Sequence, residues 1–214
     1  TMQIFDVKKS KYDLDQILTH FGLSRGVDCP ILDNLLNVTV SSGYQLPEIL
    51  DERRHKLRLE GDLWNEEELK MHFLSIVFLF SKMEVDKKMK LFYERPLTAT
   101  IENTPLYVIC DALLAAPLGI NTPQKPYFFL QEFKKGKKSA IDAEGQMLTA
   151  MLIAQHLNAD GFPIYGCYLL GKHWYFTTLH DKNYCFSKDY DATQANELAQ
   201  IIHILQNLKH QIAY

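Results

Sequence analysis

Apolar residues recur along this chain with two different periods, and the switches between them mark its elements. Residues 65–82 carry Leu69, Phe73, Ile76, Val77 and Phe80, a spacing that puts all five on one side of a 3.6-residue helix. The texture then turns to strand. Residues 90–101, 106–115 and 127–133 are rich in aromatic and β-branched side chains, with Pro, Asn and Gly between the runs. Residues 142–157 return to helix. Two more strands fit 163–170 and 173–179, joined across Gly171-Lys172, which suits a two-residue turn with Gly first. A further short strand fits 181–186, and 192–212 reads as a helix bearing Leu198, Ile201, Ile202, Leu205 and Leu208. The order helix, three strands, helix, two strands, helix predicts an α/β sandwich around a mixed sheet.

Ahead of this core, residues 1–61 read as short helices. Leu14, Ile17, Leu18 and Phe21 are helically spaced and stop at Gly22; Pro30 opens a second apolar piece and Pro47 a third, which ends at Gly61. No repeat or low-complexity linker separates this section, so it is expected to pack on the main domain, 62–214. The chain is 47% hydrophobic, enough for a sizeable core. No apolar run approaches the ~20 residues of a membrane span, and no signal segment opens the chain. Cys29, Cys110, Cys167 and Cys185 lie far apart and form no CxxC, which predicts a reduced, cytoplasmic protein without a zinc site.

A net charge of −3 lacks the basic surplus usual in nucleic-acid binders. Local clustering says more: Lys134, Lys135, Lys137 and Lys138 fall within five positions. That cluster is either a solvated loop or a set of phosphate contacts, with Lys137 and Lys138 as the candidates.

Acid-x-Lys tripeptides occur four times: Asp6-Val-Lys8, Glu68-Leu-Lys70, Asp86-Lys-Lys88 and Glu132-Phe-Lys134. Only the last ends a strand that looks buried, where alternation puts Glu132 and Lys134 on one face about 7 Å apart. The preceding strand carries one acid, Asp111, in an otherwise apolar run. A buried carboxylate without a partner costs several kcal/mol, so Asp111 must meet a cation or a donor. Two readings follow. Asp111 and Glu132 converge on a divalent ion that relieves their mutual repulsion, or Asp111 and Lys134 form a strand-end salt bridge with no metal.

The run 65–186 resembles the PD-(D/E)xK nuclease superfamily, whose core is a helix, three strands, a helix and further strands, with an Asp on the second strand and (D/E)xK on the third. Asp111 and Glu132-Phe133-Lys134 stand at those places. The phrases Asn65-Glu-Glu-Glu-Leu-Lys70, Pro126-Tyr-Phe-Phe-Leu-Gln-Glu-Phe-Lys134, Glu144-Gly-Gln146 and Pro163-Ile-Tyr-Gly-Cys167 resemble an uncharacterised bacterial branch with a helical N-terminal section. The resemblance implies a restriction-endonuclease-like fold and a nuclease acting on DNA in defence or repair. It implies Mg²⁺ (or Mn²⁺) on Asp111 and Glu132 with the Phe133 carbonyl as a further ligand, and Lys134 beside the attacking water. Many relatives have an acid on the first helix; of the three glutamates here, Glu66 lies near the apolar face while Glu68 points away, which favours Glu66. Gln146 matches a Gln that several relatives carry after the third strand, but the Tyr usual four residues on is Ala150.

The eight histidines form no HxxxH or HExxH, and no glycine-rich phosphate loop occurs. The strand His173-Trp-Tyr-Phe176 is either a packed sheet face or a surface for stacking bases. Two rivals to the nuclease stand: a catalytically silent nuclease fold that binds nucleic acid or protein, and a structural or regulatory interaction protein. Oligomeric state stays open, a dimer included.

Overall fold

The computed structural model describes residues 13–27, 29–134 and 140–212, with the backbone alone for 130–132 and 140–142. Helices α1 (Leu14–His20), α2 (Pro30–Leu36) and α3 (Glu48–Glu60) come first, with a short strand, β1 (Ser24–Gly26), between the first two. A helical rod follows in three pieces: α4 (Glu66–Leu69), a π-helical turn (Lys70–Leu74) and α5 (Ser75–Ser81). The meander β2 (Lys90–Ile101), β3 (Thr104–Leu118) and β4 (Thr122–Lys134) leads to the long helix α6 (Ala140–Asn158). The chain then runs through β5 (Ile164–Leu170), β6 (His173–His180), β7 (Asn183–Phe186), β8 (Tyr190–Asp191) and α7 (Ala195–Gln211).

The eight strands among the described residues join one mixed sheet in the order β1-β7-β6-β5-β4-β3-β2, with β8 on β6. Neighbours pair antiparallel except β4 with β5 and β1 with β7. Parallel neighbours need a crossover, and α6 supplies it between β4 and β5. On one face, α2, α3, the α4–α5 rod and α7 bury Leu35, Leu50, Phe73 and Leu205 against Leu114, Phe133 and Trp174. On the other, α1 and α6 bury Ile17, Met147 and Ile153 against Leu113 and Tyr168. The molecule is thus an α/β protein with a large mixed sheet flanked by helices. Central strand β5 is buried at every position, as a strand covered on both faces must be. Trp174 and Phe176 are wholly buried, so their strand is a packed sheet face. Gly171, with φ +61°, makes the expected two-residue turn. Among the described residues no helix is long and apolar enough to cross a membrane.

Four local expectations are corrected. The N-terminal section is not wholly helical: Ser24–Gly26 extends the sheet beyond β7, with Arg25 opposite Tyr184. That pairing also brings Cys29 and Cys185, 156 residues apart, into a disulfide, so these two are not reduced thiols. Their Cα atoms lie 6.4 Å apart, within the usual range for a bridge, a proximity no spacing in the sequence reveals. Strands β3 and β4 run further than their apolar cores, because 116–118 pair with 122–124 beyond a bulge at Leu114–Ala116 that accommodates the nearby prolines. Last, the rod 66–81 is interrupted by its π turn. The extra residue per turn slides the buried stripe downstream, so Leu74, Phe78 and Ser81 are buried while Ile76 and Phe80 are only half covered.

At Gly166 the α6 thioethers and Thr177 press directly on the β5 backbone. A Cβ there would sit 2.7 Å from Thr177 Oγ1 and 2.9 Å from Met147 Sδ. Gly166→Ala is therefore expected to destabilise the protein by about 1–3 kcal/mol through overpacking. Urea denaturation checks this, and an unchanged midpoint would show that the thioethers yield freely.

Candidate active site

The alternation of β2 and β3 breaks at one rung, and the polar residues gather there. Along β3, Leu106, Val108 and Cys110 face α6, yet further on Leu113 and Ala115 do so. Along β2, Phe92 faces α6, and then Leu97 takes over. Tyr93 pairs with Ala112 and Arg95 with Cys110, while the rung between them, Glu94 and Asp111, is unpaired. Glu94 has φ +51°, a left-handed conformation that costs a non-glycine residue about 1–3 kcal/mol.

Asp111 is 9% exposed, and both its oxygens are engaged. Oδ2 accepts the backbone N–H of Phe133 at 2.8 Å. Oδ1 accepts from Lys70 Nζ at 3.0 Å. The same ammonium donates to Glu94 Oε1 at 2.6 Å and to Glu67 Oε1 at 3.3 Å. Burial works against the charge of Lys70, but its hydrogen bond to Glu94 and the charge of Asp111 outweigh that and hold its pKa above the ordinary lysine value. The Phe133 ring, packed on Phe78, lies 5.7 Å from Nζ.

The β3–β4 ladder ends at the rung joining Ala112 to Gln131; one residue further along each strand stand Asp111 and Glu132. Glu132 lies in β4 opposite Tyr168 of β5, and its side chain is outside the described residues. Lys134 ends β4, its Nζ 4.0 Å from Glu66 Oε1. Glu68 turns away into a capping box with Asn65, whose N–H it accepts at 2.7 Å. The structure therefore brings Asp111 to β4 and Glu66 to Lys134, while the ion pair of Asp111 is with Lys70. Gln146, on α6, has a buried Oε1 without a hydrogen-bond partner among the described residues. Lys137 and Lys138 lie outside the described residues.

Sequence reasoning missed Lys70 and Glu94. Lys70 belongs to an acid-x-Lys tripeptide on a helix, where the motif carries no strand geometry. The Glu94-Arg95 pair inside a strand was the available signal, since it interrupts the apolar alternation of β2.

A second polar cluster was also missed. Arg25 of β1 grips Glu144 of α6 with two hydrogen bonds of 2.9 and 3.1 Å, and its guanidinium stacks 3.7 Å above the Phe186 ring. Burial disfavours the Arg25 charge, but Glu144 more than compensates and raises its pKa. Tyr168 donates to Glu144 at 3.4 Å and stacks on Tyr175 with centroids 4.8 Å apart. Burial, then the charge of Glu144, pushes the Tyr168 phenol far up. The fully buried Tyr184 hydroxyl faces the same carboxylate without a well-formed hydrogen bond and is pushed up likewise. Tyr168 stands opposite Glu132 in the β4–β5 register.

Hard oxygen donors dominate the site, the donor type that Mg²⁺ and Mn²⁺ take. Among the described residues no three His, Cys, Asp or Glu side chains stand close enough to hold a metal ion together. Set against known proteins, the sequence matches no family model and none of the curated proteins.

Proposed function

We propose that the protein is a Mg²⁺- or Mn²⁺-dependent phosphodiesterase of the PD-(D/E)xK type, acting on DNA. The observation that carries the reading is Asp111: a carboxylate sunk in an apolar strand, tied by the Phe133 N–H to the strand bearing Glu132-Phe133-Lys134. The order helix, β2, β3, β4, α6, β5, with β4 and β5 parallel, supports a restriction-endonuclease-like core. Asp111 and Glu132 would hold the cation, with the Phe133 carbonyl a further ligand. When bound, the ion supplies positive charge to the phosphate and acidifies a water molecule. The Phe133 N–H fixes the direction of the Asp111 carboxylate. Lys134 stands at the strand end to orient the attacking water or help remove its proton, and Glu66 steadies its ammonium. Gln146, whose buried carbonyl oxygen has no hydrogen-bond partner among the described residues, would orient water or substrate.

Millimolar Mn²⁺ is expected to raise the melting temperature of the wild type. The rise is about 5–10 °C at a concentration a hundred times the dissociation constant, and Asp111→Ala loses most of it. Equal rises in both proteins would remove Asp111 from the ligand set.

One observation favours a second reading, a nuclease fold that binds nucleic acid or protein without turnover. Both oxygens of Asp111 are already satisfied by Lys70 and a peptide N–H. On that reading no cleavage of DNA or RNA accompanies either metal.

A further inference from the structure

We propose that Lys70 is an internal counter-ion of the Asp111–Glu94 pair, and that a divalent cation enters the site by displacing its ammonium. The inference rests on the metal-dependent reading above and names the step that controls loading of the site. Its basis is geometric. Nζ of Lys70 touches one oxygen of Glu94 at 2.6 Å and one of Asp111 at 3.0 Å, so two carboxylates from adjacent strands already converge on a single cationic point. The rung between those strands is unpaired, and Glu94 reaches the spot from a left-handed backbone that strand geometry does not favour. The rod that bears Lys70 changes to its π turn at this residue, and such turns recur where a side chain must be placed for function.

The charges explain why the two cations exclude each other. Glu67, Glu94 and Asp111 surround one ammonium, leaving the group negative and attractive to a second cation. A Mg²⁺ ion demands carboxylate oxygens at about 2.0–2.1 Å. Asp111 Oδ1 and Glu94 Oε1 cannot serve it while they hold the ammonium, and two cations that close repel strongly. Lys70 also has somewhere to go. Glu67 lies one helical turn back, 3.3 Å from Nζ, and is 77% exposed, so a swing of the flexible stem keeps an ion pair in water. Glu94 thereby gains a role the sequence pattern does not assign, as a carboxylate released toward the metal alongside Asp111.

Calorimetric titration with Mn²⁺ tests this on wild type, Lys70→Met, Glu94→Gln and the double variant Lys70→Met/Asp111→Asn. Lys70→Met keeps the stem and removes the competing charge. It is expected to bind Mn²⁺ tenfold or more tightly than wild type and to melt lower without metal. Glu94→Gln is expected to weaken binding several-fold, and the double variant to lose the tightened binding, which locates the ion at this site. Should Lys70→Met not fold, Lys70→Gln, with a polar end for Glu94, takes its place. Wild type that binds Mn²⁺ while Lys70→Met binds no better overturns the displacement proposal and leaves the metal reading intact. No binding by wild type or either Lys70 variant overturns both.

Discussion

Lys134→Ala is expected to lower phosphodiester cleavage by about 10²–10⁴-fold, the usual contribution of a positioned proton-transfer group, while divalent-cation binding persists. Lys134 stands at the C-terminal end of β4, one residue beyond the Phe133 N–H that holds Asp111 and 4.0 Å from Glu66. Its side chain is only 21% exposed, so its charge works in a partly dehydrated setting. A group that orients or deprotonates the attacking water acts mainly in the transition state, so its loss lowers turnover far more than ground-state binding. Plasmid and single-stranded DNA cleavage with Mn²⁺, run beside a Mn²⁺ titration of the same samples, separates the two quantities. Cleavage by Lys134→Ala within a factor of three of wild type would remove Lys134 from the chemistry. Loss of metal affinity together with activity would instead make its role structural.

Arg25→Ala is expected to carry the largest stability loss, about 3 kcal/mol. Removing one partner of a buried ion pair commonly costs 3–5 kcal/mol, because the other charge stays buried without compensation. Glu144 would be left so: its side chain is 9% exposed, and among the described residues the Tyr168 hydroxyl at 3.4 Å and the neighbouring Tyr184 hydroxyl would be its remaining polar company. The lower end of that range applies because the Arg25 side chain is 34% exposed and water can enter its space. Among the described strands β1 pairs with β7 alone, and the Cys29–Cys185 disulfide ties the chain just beyond it, so the change removes the Arg25–Glu144 contact without freeing the strand. The double change Arg25→Met/Glu144→Leu should recover part of the loss by removing both charges. Urea denaturation of the three proteins measures these differences. A loss below 1 kcal/mol for Arg25→Ala would mean that Glu144 swings into solvent at little cost.

The candidate site was half legible. Asp111 stood out as one acid in an apolar strand, and Glu132-Phe133-Lys134 as an acid-x-Lys at the end of another, because strand periodicity makes burial and facing readable from spacing. Glu66 was separable from Glu68 by helical angle, and the structure turns Glu68 into a capping box instead. The partner of Asp111 was not legible. Lys70 lies 41 residues before it, and its contact depends on how the α4–α5 rod packs across the sheet. The choice between a salt bridge to Lys134 and a shared metal site omitted that third possibility, an ammonium from a different layer.

From residue 65 onward the sequence by itself determined the kinds of the main elements and their order. The 3.6- and 2-residue periods select helix or strand locally, and the covering of β5 on both faces is written in its continuous run of non-polar residues. Only tertiary structure decided the rest. Pairing of β1 with β7 joined Cys29 to Cys185 and Arg25 to Glu144, contacts between residues 156 and 119 apart. The π turn reset which face of the rod is buried, and the unpaired rung at Glu94 and Asp111 turned two carboxylates onto one lysine. The physical reason is common to these cases. Periodicity reports what one segment requires of its surroundings, whereas the strain at Glu94 and the ion pairs at Lys70 and Arg25 arise only when distant segments are packed together and must neutralise one another's charges.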